Sequence, residues 1–405
     1  MATRDSDDVW TSRRRHPTSR PVTVERRSRT FGGLLGVIVA LNLLGLVMVL
    51  SASSVSALDT YGSSWYIAMR QAIWLAVGTA ACLVVARRDY HRWRRWSVPG
   101  LALSGVLLGL VLVPGIGMNV NGASRWLGYG PFSLQPSELA KLTVLLFACD
   151  LLARRAAWMA DLRLTLVPVG VVFASVALLL MLQPNLGTTL VIGSIVLSVL
   201  YVAGAPLVPL AGVGIGGAVV ATGLALAASY RRARVLAFLD PWADPLNSGY
   251  QNIQSLVGIA AGGLTGVGIG ESKAKWGFLP YAHTDFIFAI IGEELGLLGA
   301  LVVVGLFVAL CVLGAKAASQ APDRFGMLLA AGVTAWFGVQ AFVNIGAVIG
   351  ILPITGVPLP FVSYGGSSLV FSMVGAGLLL NVARQGHAAP TRVAPTRRPE
   401  PVEPR

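Results

Sequence analysis

Charged side chains are scarce in this chain. Asp, Glu, Lys and Arg make up 12% of its 405 residues, against about 25% in an ordinary soluble domain. Hydrophobic residues reach 55% and the mean hydropathy is +0.71, which excludes a soluble fold and implies an integral membrane protein. Acids are the scarcer sign, 18 against 31 Lys and Arg, giving a net charge of +13. Such a balance can mark a nucleic-acid binder. Here, however, the bases fall in the tails and in short segments between apolar runs, where they report topology. Cysteine is nearly absent. Cys82, Cys149 and Cys311 each lie in an apolar run, an odd set with neither a disulfide framework nor metal-ligand spacing. No long internal repeat is present, although GVGIG occurs at 212–216 and again at 266–270.

What the chain has is apolar length. Runs near 31–52, 69–87, 97–116, 137–153, 164–182, 186–204, 206–229, 284–314, 325–349 and 363–384 each approach the roughly 20 residues a membrane-spanning helix needs. The expected fold is an all-α polytopic membrane protein of about ten transmembrane helices. Val55-Ser56-Ala57 resembles a signal-peptidase site, but the preceding run exceeds a typical h-region of about 7–15 residues, so the first run reads as an uncleaved span. Segments 1–30 and 385–405, rich in Arg and in Arg and Pro, read as disordered tails flanking a membrane domain over 31–384. With a cytoplasmic start both tails lie inside. Inside segments then hold 23 Lys and Arg and outside segments six, as the positive-inside rule requires. The outside face carries a large loop over 230–283, between helices 7 and 8, medium loops at 117–136 and 350–362, and a short turn at 183–185.

Polar signatures gather on that outside face. The stretch 275–299 passes from a loop into an apolar run, with His283, Thr284 and Asp285 at the join and Glu293 and Glu294 deeper. Carboxylates at membrane depth are costly and therefore candidates for function. Eight residues of helix rise about 12 Å, so Asp285 lies at the mouth, Glu293 deeper and Glu294 turned away. Asp285 is either placed to meet a substrate hydroxyl or a helix cap, and the glutamates hold helices together. Asn121 to Trp126 offers a donor fork, Arg125, beside an amphipathic ring, Trp126, either for a phosphate or as an interface anchor. Gln135-Pro136-Ser137-Glu138 leads to Lys141, and Glu138 and Lys141 share a helix face as an internal ion pair. Arg231, Arg232 and Arg234 oppose the topology bias, which an anionic headgroup or diphosphate would explain, unless they only end a solvated helix. Lys273, Lys275 and Trp276 close that loop. Pro353, Pro358 and Pro360 with Ser363, Tyr364 and Gly365 build a rigid, non-helical stretch, tolerated at membrane depth only against protein or a cavity. Gln340 and Asn344, four apart, point toward it. Gly212 to Gly217 matches G-x-G-x-x-G but lies inside an apolar run after no strand, so close helix packing is the better reading.

QPSELAKL at 135–142, LPYAHTDFIFAIIGEELG at 279–296 and LPITGVPLPFVSYGGSS at 352–368 closely resemble the SEDS family (shape, elongation, division and sporulation), over about residues 35–385. Details such as Gly292-Glu-Glu-Leu-Gly296 resemble the cell-division (FtsW) branch more than the elongation (RodA) branch. The resemblance implies a peptidoglycan glycosyltransferase of the bacterial cytoplasmic membrane, at the division septum. It would polymerise lipid II, release undecaprenyl diphosphate, and work with a class B penicillin-binding protein transpeptidase and other divisome proteins. It maps the catalytic acid onto Asp285 and an Arg-Trp pair onto Arg125 and Trp126; the residue reading adds Lys141, Arg231, Arg234, Lys275, His283, Thr284, Ser363, Tyr364 and Gly365 as candidates for substrate. Gln135, Glu138, Glu293, Glu294 and the three prolines are then structural. Asn185 and Tyr281 stand where the family often has acids, so neither receives an acid–base or metal role. No cofactor is implied, though a divalent cation could assist the leaving diphosphate. A lipid II flippase using the buried charges Glu138, Lys141, Glu293 and Arg70, or a scaffold recruiting the transpeptidase, are the rival readings.

Overall fold

The computed structural model describes residues 29–120, 123–129 and 132–386. Nearly all of both tails, and Asn121, Gly122, Gly130 and Pro131, lie outside the described residues. Twelve α-helices are formed: α1 (Arg29–Tyr61), α2 (Tyr66–Arg87), α3 (Ser97–Val111), α4 (Pro136–Arg154), α5 (Leu166–Leu182), α6 (Leu186–Ala203), α7 (Leu207–Ala227), α8 (Ser229–Leu239), α9 (Tyr250–Gly262), α10 (Ile287–Ser319), α11 (Arg324–Val348) and α12 (Gly366–Gln385). Every apolar run of the sequence coincides with a helix. Seven of them, α1, α2, α6, α7, α10, α11 and α12, are long and apolar enough to cross a membrane. Helix α5 is 17 residues and α3 is 15. Helix α4 spans 19 residues but carries Glu138, Lys141, Asp150 and Arg154.

Helices α4, α6, α11 and α12 supply much of the core. Trp336, Phe337, Leu145, Val199 and Leu379 are inaccessible there, while α12 packs along α2 and α11 lies against α10 and α6. The small residues of α11 serve this interior. A Cβ at Gly332 would stand 2.2 Å from Leu145 Cδ1, and Ala330 is fully buried. The packing expected of Gly212–Gly217 is corrected: α7 has no buried residue, and Gly212, Gly216 and Gly217 have open space beside them.

Two of the expected outside loops are folded, and both matter for the site. The segment 117–136 folds into a three-stranded antiparallel sheet, β1 (Gly117–Val120), β2 (Ala123–Tyr129) and β3 (Phe132–Leu134), with Met118 opposite Trp126 and Leu127 opposite Leu134. The segment 230–283 holds α8 and α9, the latter packed on α10.

The second GVGIG has a backbone function. Helix α10 breaks at Gly296, where φ is +66° and ψ −166°. Segment 263–268 replaces the lost helical bonds: Val267 and Gly268 donate to the carbonyls of Glu293 and Glu294 at 3.0 and 3.1 Å, and Leu297 and Leu298 donate to those of Gly263 and Leu264 at 2.9 and 3.1 Å. Gly266 holds φ +84°, and a Cβ on it would lie 2.1 Å from the Glu294 carbonyl oxygen. Only glycine fits there. Gly266→Ala should destabilise the protein by about 1–3 kcal/mol, seen as a lower thermal unfolding midpoint in detergent. An unchanged midpoint would mean that the paired segment yields without cost.

Candidate functional site

The site is built where irregular backbone meets helix ends. Asp285 closes the loop that precedes α10, held from beneath by α11. Asn344 Nδ2 donates to the Asp285 carbonyl at 2.8 Å and to the Val357 carbonyl at 2.9 Å, and Gln340 Nε2 donates to the Pro358 carbonyl at 2.8 Å. From the other side Ser363 Oγ donates to the Thr284 carbonyl at 2.6 Å and accepts from the Leu359 N–H at 2.8 Å, and the Tyr364 N–H donates to the His283 carbonyl at 2.9 Å. The loop 281–286 and the proline segment 350–365 thus form one body. Two of its residues take left-handed backbone without being glycine, Tyr281 at φ +59° and Phe361 at φ +66°, strain of a kind that concentrates at functional sites.

Asp285 looks into a cavity of about 520 Å³. Its other charged lining groups are all guanidinium: Arg70 from the first turn of α2, Arg125 from β2 and Arg234 from α8. Arg125 is fixed by donating from Nε to the Gln183 carbonyl at 3.2 Å and from Nη2 to the Pro184 carbonyl at 2.6 Å. The Gln-Pro-Asn turn between α5 and α6 therefore positions an arginine. Trp126, Gln135, Thr284, Pro358, Tyr364 and Gly365 also line this space. Gly356 leaves room beside the carboxylate, since a Cβ there would stand 3.7 Å from Asp285 Oδ2. Arg125, Arg234 and Ile354 are shared with a second, mainly apolar cavity of about 400 Å³ between α6, α7 and α8, which Arg231 and Pro353 also line. Arg231 Nη1 is buried there without a hydrogen-bond partner.

The remaining expected site residues lie elsewhere. Lys141 is 1% exposed, pairs with Glu138 at 2.8 Å, donates to Gln340 Oε1 at 2.9 Å and sits 5.2 Å from the Trp336 ring centre. It lines neither cavity, so its assignment to substrate is corrected to a support beneath the site, while the expected Glu138 ion pair is present. Lys275 is buried, donating to the Gly270 carbonyl 3.8 Å from Glu294. Glu293 accepts from Ser272 Oγ at 2.5 Å and the Lys273 N–H at 2.8 Å, and Glu294 from Ser51 Oγ at 2.6 Å. Both glutamates pin the chain that returns toward Asp285, the structural part expected of them. His283 and Ser363 lie behind the wall, His283 edge-on to Tyr364 at 5.6 Å, and Pro360 is buried. Gln135, expected to be structural, reaches the wall instead. Arg70, Trp74, Gln251 and Ser367 line the cavity without having been singled out for it. Arg70 carried a signal, a guanidinium in the first turn of an apolar run.

Burial pushes the Asp285 carboxyl up, to about 6, while Arg234 and Arg125 pull it down. It is thus less acidic than a free aspartate and still mostly ionised at neutral pH. Among the described residues no group of three His, Cys, Asp or Glu is placed to hold a metal. One carboxylate facing three guanidinium groups suits an anionic ligand better than a resident dication.

A polytopic membrane protein with a cation-lined cavity around one carboxylate is the class that this geometry defines. The family model described as cell cycle protein, covering FtsW, RodA and SpoVE, matches residues 33–388. The chain is 42% identical over 359 residues to stage V sporulation protein E of Bacillus subtilis, covering 88% of this chain and 98% of that one. It is 42% identical over 357 residues to the probable peptidoglycan glycosyltransferase FtsW of Geobacter metallireducens, covering 88% and 95%. A solved structure described as structural coordination of polymerization and crosslinking by a peptidoglycan synthase complex superposes with a TM-score of 0.72 at 33% identity, covering 87% of this chain and 97% of that one. The chain belongs to the FtsW/RodA/SpoVE family, the SEDS proteins.

Asp285 also predicts a stability profile. Its folded-state value of about 6 lies above the ordinary aspartate value of about 3.9, so its favourable contribution is present below about pH 4 and is lost as pH rises to about 6. Asp285→Asn should therefore unfold at a higher temperature than the wild type at pH 7, with the two converging near pH 4. A variant less stable at pH 7 would show that the arginines hold the ionised carboxylate more strongly than burial opposes it.

Proposed function

We propose that this protein is a peptidoglycan glycosyltransferase that polymerises lipid II at the outer face of the cytoplasmic membrane. The observation that carries this reading is the joint between the two cavities. Asp285 stands in the polar one, and Arg125 and Arg234 stand where it meets the apolar one. A lipid-linked sugar diphosphate has matching parts: a polyprenyl tail for the apolar groove, a diphosphate for the arginines and a disaccharide for the polar cavity. The family and the name borne by the Geobacter metallireducens relative support the same activity.

In the reaction the 4-hydroxyl oxygen of the acceptor sugar attacks the anomeric carbon of the donor. The bond from that carbon to the phosphate oxygen breaks, and undecaprenyl diphosphate leaves with the bonding electrons. Asp285 takes the hydroxyl proton as general base, a task for which a value near the working pH is suited. Arg125 and Arg234 stabilise the charge on the leaving group where water is partly excluded. With one carboxylate on the wall, a divalent ion accompanying the diphosphate belongs to the substrate, and no step is assigned to it. The flippase reading loses support because Glu138, Lys141 and Glu293 are closed into internal pairs, while Arg70 faces the catalytic cavity.

Asp285→Asn should abolish glycan synthesis from labelled lipid II while leaving the protein in the membrane, and the wild-type rate should rise with pH through about 6. Near-normal synthesis by the variant would remove Asp285 from the chemistry. A wild-type rate flat from pH 5 to 7 would sink its role as the titrating base.

The multi-pass chain is proposed to act at the division septum with both tails cytoplasmic, alongside divisome proteins. Its expected partner is a class B penicillin-binding protein, in keeping with the polymerising and cross-linking complex that it resembles. Outside the spans, Leu239, Trp242 and Leu246 are 70–82% exposed, a patch fit for such a contact. Adding the cognate transpeptidase, with its own site blocked, should raise polymerisation severalfold. Equal activity of the isolated chain would refute activation and leave the catalytic assignment standing.

A further inference from the structure

A second cluster of arginines lies at the opposite membrane face. Helix α4 carries Glu138 near its first turn and Arg154 at its end, 16 residues or about 24 Å apart, so its last turn is far from Asp285. There Arg94 Nε donates to Asp150 Oδ1 at 2.7 Å, and Arg154 Nε donates to the same oxygen at 3.0 Å while its Nη2 reaches Oδ2 at 2.9 Å. Ser97 Oγ donates to Oδ2 at 3.4 Å. Asp150 is 6% exposed, so a buried carboxylate fixes two of the arginines. Arg155 donates to the Leu164 carbonyl and makes no ion pair among the described residues. Arg95 is exposed and makes no ion pair among the described residues.

These four arginines and Asp150 line one cavity of about 340 Å³, a local charge of +3. Its other walls include Val98, Phe147 and Leu151. Trp96 and Trp158, beside it in sequence, are 62% and 59% exposed, as indole rings are at headgroup depth. Positive-inside bias explains scattered surface bases such as Arg92, which is exposed and does not line the cavity. It does not explain four guanidinium groups converging on one hollow with an apolar wall.

We propose that this cavity binds the phosphate headgroup of an anionic phospholipid from the leaflet opposite the Asp285 site. The unspent charges of Arg95 and Arg155 meet the phosphate, the Asp150 network holds Arg94 and Arg154 in place, and Val98, Phe147 and Leu151 receive the start of an acyl chain. A soluble anion has no use for that apolar wall, whereas basic pockets between helices at a membrane face suit acidic headgroups.

The test counts lipids retained by the purified full chain in native mass spectrometry, after titration with phosphatidylglycerol or phosphatidylcholine of identical chains. The wild type should retain phosphatidylglycerol about 25-fold more tightly, the effect of two interfacial basic contacts of about fivefold each. Arg95→Gln should lose most of that preference, Arg95→Glu should abolish it, and Arg92→Gln should keep it. Arg95 is exposed and makes no ion pair among the described residues, so these variants are expected to fold, and an unchanged thermal midpoint without lipid checks that. Equal retention of both lipids by the wild type would overturn the site. Equal losses in the Arg92→Gln and Arg95→Gln variants would reduce it to diffuse surface charge. Displacement of the phosphatidylglycerol by inorganic phosphate would assign a free anion and overturn the lipid reading.

Discussion

The backbone that frames Asp285 depends on two side-chain amides of α11. Backbone that leaves the helix inside a membrane exposes carbonyls that water cannot reach, and each unsatisfied group costs several kcal/mol. Asn344 and Gln340 answer for Asp285, Val357 and Pro358 together. Gln340 is anchored in turn, because its Oε1 accepts from Lys141 Nζ and from Trp336 Nε1 at 2.8 Å. Lys141 is balanced by Glu138. A chain of polar contacts thus runs from an internal ion pair, through one glutamine, to the segment that frames the carboxylate. The buried charges that suggested a transport path form a foundation instead.

The same economy governs the charges of the cavity. An aspartate among carbonyls and aromatic rings is driven toward its neutral form, while two guanidinium groups draw it back, and the balance falls near 6. Without the arginines burial alone would leave a poorer base at neutral pH. Without the burial the carboxylate would be a weaker proton acceptor. The groups that would meet a diphosphate therefore also set the protonation of Asp285.

Much of this was legible in the sequence, for definable reasons. Apolar runs read directly as helices because bilayer thickness fixes their length, and all ten coincide with one. Asp285 stood out because a carboxylate entering the membrane is costly, and Arg125 and Trp126 because a donor fork beside an amphipathic ring suits the interface. What stayed hidden depended on tertiary contact. The strands of 117–134 are only three to seven residues long and carry little periodic signal. Lys141 reads equally as ligand or support until Gln340, 199 positions away, comes into view. The repeated GVGIG shows the limit most plainly. At 212–216 it lies on the exposed α7, and at 266–270 it is the positive-φ backbone that mends the break in α10. The letters are identical, and only the neighbouring chain distinguishes them.

That break has a consequence for how the site is carried. A continuous α10 would bind Glu293 and Glu294 by their own helical bonds and leave segment 263–275 to solvent and lipid. Because the helix opens at Gly296, the carbonyls of both glutamates are free to pair with Val267 and Gly268, while their carboxylates receive Ser272, Lys273 and Lys275. Segment 263–275 is thereby fastened to α10 by backbone and side chain at once, and Ser51 of α1 joins it through Glu294. The loop bearing Asp285 begins only a few residues beyond that fastening. Two carboxylates buried at membrane depth thus act through geometry, fixing the path of the chain toward the carboxylate that faces the arginine-lined cavity.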